Sequence, residues 1–378
     1  RACLTRAAPL IRDSWIPPAM WIGGRASAFV RGRTSIALGR RCLSEVPTLN
    51  IAPFLEGGSY ESRLAVAKQL DAACVDLGCF YLEGHGVPES QVRRLHGVAK
   101  EFFTLPASSK EAIAISEGKG RGYQKLGLNV TKQQRDYQEA IDFYAEPAAD
   151  KVDFRVFSDA AQLEQFAGAK NLWPEEPVDF KETFQNYFGK MSKTGNALME
   201  AMSLALGLPQ DHFAACTAQS FWGSRVVGYP SLPPDFPGLS CGEHTDYGCW
   251  VILCQDETPN ALEVKFPDGI WRFAPPRPGK LLVNLGDMLS VWTRGRYKPT
   301  EHRVRHTSAG FRTSVVYFHD PNFDAVIHPL DLEPSTDMPD SSPLPYGEYL
   351  FSKVRSNFDF ATSDSHARCT DAAAGRSA

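Results

Sequence analysis

Two stretches in the first half of the chain carry apolar residues at helical spacing. Leu64, Ala67, Leu70, Cys74 and Leu77 recur three or four residues apart and end at Gly78, which predicts a helix stopped by that glycine. Cys79 to Leu82 then reads as a strand, and "EVPTLNIAPFL" before the helix reads as a short strand entering a turn. Phe180, Phe184, Tyr187, Met191, Leu198, Met202 and Leu206 form one stripe on a second, longer helix, closed by Gly207 and Pro209. An aromatic and methionine stripe of this kind is core, so this helix is scaffold. From Ser220 the period changes. "SRVVGYP", "CWVILCQD", "ALEVKFPDGIWRFAPP", "KLLVNLGDML" and "RTSVVYFHDP" are short apolar or alternating runs separated by Gly, Pro, Asn and Asp. Strands at this spacing after a mainly helical half predict a sandwich or jelly roll with helices packed outside it.

Composition narrows the function classes. A chain of 378 residues with 43% hydrophobic residues, 22% charged residues and a net charge of −4 lacks the basic excess of a nucleic-acid binder. No run reaches the roughly 18 consecutive apolar residues of a membrane-spanning helix. Nine cysteines, an odd number and without CxxC pairs, read as reduced thiols of an intracellular protein. Residues 1–44 differ from the rest: eight arginines, no lysine and one acid, Asp13. That is the composition of a transit peptide for a mitochondrion or plastid; the alternatives are a basic arm that stays with a cytoplasmic protein and an upstream region translated from a wrong start. The small, polar tail after residue 360 predicts disorder.

"CGEHTDYGCW" is where chemistry first appears. In an extended strand side chains alternate faces, so His244 and Asp246 project together while Thr245 points away. His302, two predicted strands further on in "GRYKPTEHRVRH", supplies a third ligand; His306 is its nearest competitor, and the remaining histidines read as core or surface residues. Two imidazoles and one carboxylate are the ligand set of non-heme Fe(II) oxygenases, and they also suit catalytic zinc. Arg312 and Ser314 follow on one face of a later strand, a guanidinium fork beside a hydroxyl, which is the geometry for clamping a carboxylate. A hydrolytic zinc site has no evident use for such a clamp.

Between about Val46 and Phe360 the chain resembles the isopenicillin N synthase-like branch of the Fe(II)/2-oxoglutarate-dependent dioxygenases. The resemblance is carried, in order, by "GCFYLEGHGVP", "EFFTLPASSK", "RGYQKLG", "GEHTDYG", "NLGDML", "GRYKPTEHRV" and "RTS". It implies a mainly β core with α elements (α+β), a double-stranded β-helix or jelly roll flanked by N-terminal helices. It implies iron bound by His244, Asp246 and His302, which are also the catalytic set, and the distal carboxylate of 2-oxoglutarate bound by Arg312 and Ser314. A tyrosine in an Asn-x-Tyr-Pro segment contacts the cosubstrate in that family; here the segment is "VGYP", so Tyr229 matches while Val227 replaces the asparagine. The implied cofactors are Fe(II), 2-oxoglutarate and O2, with ascorbate as reductant, and the implied partner is a small-molecule substrate, with no nucleic acid, no membrane and a monomeric enzyme. The implied division is an arm (1–45), an N-terminal helical or mixed region (46–215), a jelly-roll core (216–330), a C-terminal helix and lid (331–360) and a tail (361–378).

The reaction implied is oxidative decarboxylation of 2-oxoglutarate to succinate and CO2, coupled to hydroxylation or a related oxidation of the substrate. The alternatives are a same-fold Fe(II) oxidase that does not use 2-oxoglutarate and a catalytically silent small-molecule binding protein. Tyr123, Phe143 and Phe323 are candidates for an apolar substrate wall, Asp287 for a turn residue and Trp292 for packing beneath the site. The substrate itself is not legible.

Overall fold

Both helical stripes fold as expected, and a glycine ends each. In the computed structural model, which describes residues 45–147, 149–233, 235–332 and 343–356, strand β1 (Thr48–Asn50) leads through a one-turn helix (Ala52–Leu55) to α1 (Tyr60–Asp76). The Ser59 hydroxyl caps α1 by accepting from the Ser62 N–H. Gly78 follows with φ +77°, and a Cβ there would overlap the Lys298 carbonyl oxygen, so only glycine both turns the chain and admits that neighbour. β2 (Cys79–Glu83), α2 (Glu89–Phe103), β3 (Gly122–Gln124), β4 (Glu139–Tyr144) and the long α3 (Phe180–Ala205) complete the first half. The arginine-rich arm and the polar tail lie outside the described residues.

The second half runs β5 (Gly223–Tyr229), β6 (Cys241–His244), β7 (Trp250–Gln255), β8 (Leu262–Lys265), β9 (Trp271–Phe273), β10 (Leu281–Leu285), α4 (Asp287–Trp292), β11 (His302–Val304), β12 (Arg312–His319) and α5 (Tyr346–Ser356). Two sheets result. The larger has the order β1-β2-β10-β7-β12-β5-β4-β3 and the smaller β9-β8-β11-β6. Four strands of the larger sheet therefore come from the first half. Hydropathy conceals β4 in particular, because Glu139 and Asp142 are buried polar residues within it.

Strand parity sorts the larger sheet into two faces. On the outer face Phe80, Trp250, Ile252 and Tyr317 meet the α3 stripe of Phe184, Phe188, Met191, Leu198 and Met202. Burial of each such side chain contributes about 1.5–3 kcal/mol, so this layer fixes α3 on the sheet. On the inner face, residues of neighbouring strands line up in rows: Asn284, Val251, Phe318, Gly223 and Tyr144; then Leu282, Leu253, Val316, Arg225 and Asp142; then Gln255, Ser314 and Val227; then Arg312 and Tyr229. Polar and charged side chains thus enter the space between the sheets at defined depths.

Candidate active site

The smaller sheet brings two histidines face to face. β6 and β11 pair antiparallel with His302 opposite His244, and the ring centroids are 4.3 Å apart. Asp246, just past β6, is held by a bridge to Gly286. Its Oδ1 lies 3.8 Å from His244 Nε2 and its Oδ2 3.5 Å from His302 Nε2. Each Nδ1 faces a backbone carbonyl, Gly242 O at 2.8 Å and Thr300 O at 3.1 Å. A carbonyl only accepts, so each Nδ1 carries the proton and each Nε2 turns a lone pair inward.

The electrostatics of this cluster call for a cation. Burial, then the proximity of His302, pushes His244 down to about 4, so its ring is neutral at pH 7 and forms no ion pair with Asp246. Asp246 Oδ2 is buried with no hydrogen-bond partner. One ligand atom from each residue falls within 4.8 Å of the others. Two lone pairs and a carboxylate converging without a donor are repulsive unless a metal ion sits among them, and two imidazoles with one carboxylate would suit Fe(II) there. Asp287 braces the loop: its N–H donates to Asp246 O at 2.8 Å, and its carboxylate accepts from Thr245 Oγ1 at 3.2 Å and Tyr349 Oη at 2.8 Å.

Deeper in the same cavity lies an arginine without an acid. Arg312 is fully buried, its guanidinium 4.8 Å above the Tyr229 ring, and Nη2 donates to Gln255 Oε1 at 3.2 Å. Nε and Nη1 are buried and have no partner. A buried unpaired cation is unstable unless a ligand anion meets it. Ser314 is on the same strand face, and Tyr229 sits opposite Arg312 in the register, so the three residues line one part of the cavity wall. Val227, opposite Ser314, leaves this wall apolar where the resembling family has asparagine.

Comparison with known proteins agrees with this geometry. Residues 46–176 match the family model described as the N-terminal region of non-haem dioxygenases in morphine synthesis, and residues 213–321 match that of the 2OG-Fe(II) oxygenase superfamily. A homoarginine-6-hydroxylase of Oryza sativa subsp. japonica is 38% identical over 307 residues, covering 79% of this chain and 91% of that protein. The chain belongs to the 2-oxoglutarate–Fe(II) oxygenases. A homoarginine-6-hydroxylase of Glycine max is 36% identical over 331 residues, 83% of this chain and 98% of that protein. Among solved structures, a full-length Neurospora crassa protein in complex with alpha-KG and 5-formyluracil shares the fold, with TM-score 0.70, 24% identity and coverage of 82% and 96% of the two chains. JOX2 in complex with 2OG, Fe and JA has TM-score 0.66 and 25% identity, covering 83% and 89%. The expected jelly-roll fold, the isopenicillin N synthase-like grouping and an oxygenase that uses Fe(II) and 2-oxoglutarate to oxidise a small molecule are therefore borne out. No helix among the described residues is long and apolar enough to cross a membrane.

Several expectations fall differently in this oxygenase. Phe143 faces the outer side of β4 and stacks on Trp173 at 4.3 Å, whereas its neighbours Asp142 and Tyr144 line the cavity. Phe323 packs on Phe221 and Phe157. Tyr123 donates its hydroxyl to Glu139 Oε2 at 2.6 Å. All three are core residues; for Tyr123 and Phe143 strand parity, not aromatic character, decides which side chain meets the cavity. Trp292, by contrast, is a packing residue as expected, buried against Phe213 in the core. Sequence reading does not single out Arg225, Gln255, Asn284 or Asp320, all of which line or brace the cavity. For Arg225 a signal exists: it lies four residues before Tyr229 on the same strand, hence on the same face.

Proposed function

We propose that His244, Asp246 and His302 hold the Fe(II), that Arg312, Ser314 and Tyr229 hold the distal carboxylate of 2-oxoglutarate, and that the substrate is a small cationic amino acid of the homoarginine type. The observation that carries the first two assignments is the unpaired Arg312 guanidinium, buried in the same cavity as three converging metal-capable side chains. With 2-oxoglutarate and O2, bound Fe(II) supplies an oxidant able to break a substrate C–H bond, releasing succinate and CO2. The chain's own residues set the conditions. His244 and His302 keep Nε2 lone pairs inward through their Nδ1–H bonds to carbonyls. Arg312 offers a planar guanidinium whose Nε and Nη1 meet no described group, donors available to an incoming carboxylate. Leu350 and Val354 of α5 line the cavity, which supports a lid role for that helix, over a catalytic core of 216–330 whose larger sheet is completed by β1 to β4 of the N-terminal region.

The substrate class rests on the names of the relatives that are 36–38% identical over most of their length. It is tested by incubating the purified protein with Fe(II), 2-oxoglutarate and homoarginine, and measuring succinate together with the mass of the amino acid. Succinate rising with homoarginine, and a product heavier by one oxygen, are the expected results; a homoarginine-independent succinate level refutes the substrate class. For residues 1–44 the composition supports import and removal, and fluorescent fusions with and without them test this. Cytosolic fluorescence of the full-length fusion refutes targeting.

A further inference from the structure

The proposed substrate carries a cation at one end and a carboxylate at the other, and the cavity wall has one unexplained group for each. Asp320 follows β12 and lines the cavity. It is 3% exposed, its carboxylate accepts from Tyr346 Oη at 2.5 Å and from the Cys249 N–H at 3.3 Å, and among the described residues no arginine or lysine pairs with it. Burial raises it to about 7, which reflects the same lack of a cation. Its position is fixed by Gly248, where a Cβ would overlap Oδ1. Gly248 stands two residues beyond Asp246, so Asp320 is at the metal end of the cavity.

Arg225 lies two rows further along the same face, beyond the row of Phe318 and Gly223. Its Nε and Nη2 bond Asp142 in parallel at 2.7 Å each, and Asp142 is backed by Gln124 Nε2 at 2.6 Å, itself bonded to Asn129 at 2.8 Å. The side chain of Asp142 is 4% exposed and that of Arg225 22%, so the arginine is the partner the cavity meets, along the edge that Asp142 does not use. Arg225 is thus oriented by a buried acid and presents a second guanidinium, distinct from that of Arg312.

We infer that Asp320 seats the guanidinium of the substrate and Arg225 its carboxylate, which sets the direction in which the substrate lies; this rests on the substrate class proposed above. Spacing agrees. Arg225 pairs with Val316, four residues before Asp320, or about 13 Å along the strand at roughly 3.3 Å per residue. Seven zigzag bonds of about 1.5 Å separate the two end carbons of homoarginine, a reach of roughly 9 Å, and the inward reach of the two side chains takes up the difference. Chemistry agrees as well. In a 6-hydroxylation the oxidised carbon bears the guanidino nitrogen, so the guanidinium must lie beside the metal, where Asp320 is.

The test uses the iron-loaded enzyme with 2-oxoglutarate and three amino acids or amines: homoarginine, its neutral urea isostere homocitrulline, and homoagmatine, which lacks the carboxylate. Wild type is expected to show KM at least tenfold higher for each analogue than for homoarginine. Asp320→Asn is expected to raise KM for homoarginine at least tenfold, leaving KM for homocitrulline, KM for 2-oxoglutarate and iron content unchanged. Arg225→Lys is expected to raise KM for homoarginine with little change for homoagmatine. Tyr346→Phe, which removes a hydrogen bond to Asp320 but keeps its charge, should retain the preference for homoarginine, separating recognition from packing. Homoarginine turned over no better than homocitrulline by wild type, or discrimination unchanged in Asp320→Asn, overturns the seat alone. Absence of homoarginine-driven succinate from wild type overturns the substrate class and the seat with it.

Discussion

Replacing Arg312 by lysine keeps a positive charge in the cavity and removes the fork. In the structure one Nη2 hydrogen is committed to Gln255 Oε1 at 3.2 Å, while Nε and Nη1 are buried and unpaired, so a carboxylate arriving at an edge of the guanidinium gains charge-assisted bonds that the protein itself does not fill. A lysine ammonium, a point donor on a flexible stem, replaces at most one of them and loses the planar stack over Tyr229 at 4.8 Å. One hydrogen bond to a charged group is worth about 1.5–3 kcal/mol, so KM for 2-oxoglutarate should rise roughly 10- to 150-fold at about 1.4 kcal/mol per decade. Iron content should not change, because none of His244, Asp246 and His302 bonds Arg312. The assay is succinate release against 2-oxoglutarate concentration, with metal analysis of the same preparation. Thermal melting adds a second reading: saturating 2-oxoglutarate at 100 times its Kd stabilises the wild type by about 2.7 kcal/mol, and the variant should gain far less at the same concentration. A KM within about twofold of wild type with full iron content refutes the assignment of Arg312 as the clamp. Parallel loss of iron refutes the separation of the two sites.

Asp246→Ala removes the only anionic ligand; since outer partners of metal ligands alone are worth 10–100-fold, iron affinity should fall by more than about 100-fold, and a variant that retains wild-type iron content contradicts the triad. Gly195→Ala should destabilise the protein by about 1–3 kcal/mol through overpacking, although alanine is the better helix former by about 1 kcal/mol, because a Cβ at this position would overlap the buried His319 ring; denaturant melts decide the sign. His319 is fully buried and depressed by burial from an ordinary value near 6.5 to about 4. Between those pH values the unfolded chain takes up a proton that the folded one does not, so stability falls as pH drops through that window, by about 3 kcal/mol in all. The stability difference between wild type and His319→Leu should therefore move in favour of the variant as pH falls from 6.5 to 4, and parallel curves refute the buried neutral histidine.

Local pattern determined much of this protein. Helix spacing located α1 and α3, and the glycines at 78 and 207 marked their ends, since a left-handed residue after the last turn is a property of the local backbone. The His-x-Asp spacing, His302 and the Arg-x-Ser pair were likewise readable, because a strand's period of two places such residues on one face whatever surrounds them. Tertiary structure decided the rest. That β1 to β4 join the catalytic sheet depends on pairings between residues far apart in the chain, such as Leu82 with Leu281 and Asp142 with Arg225, and no local signal carries that register. Phe143 and Asp142 are neighbours in sequence, yet the aromatic went to the core and the acid to the cavity, because parity fixes only that adjacent side chains oppose one another. Which of the two faces inward is settled by the helix layer that covers the outer side. Asp320 and Arg225 carry no recognisable spacing between them, being 95 residues apart; they share a cavity because β12 and β5 pair along their length.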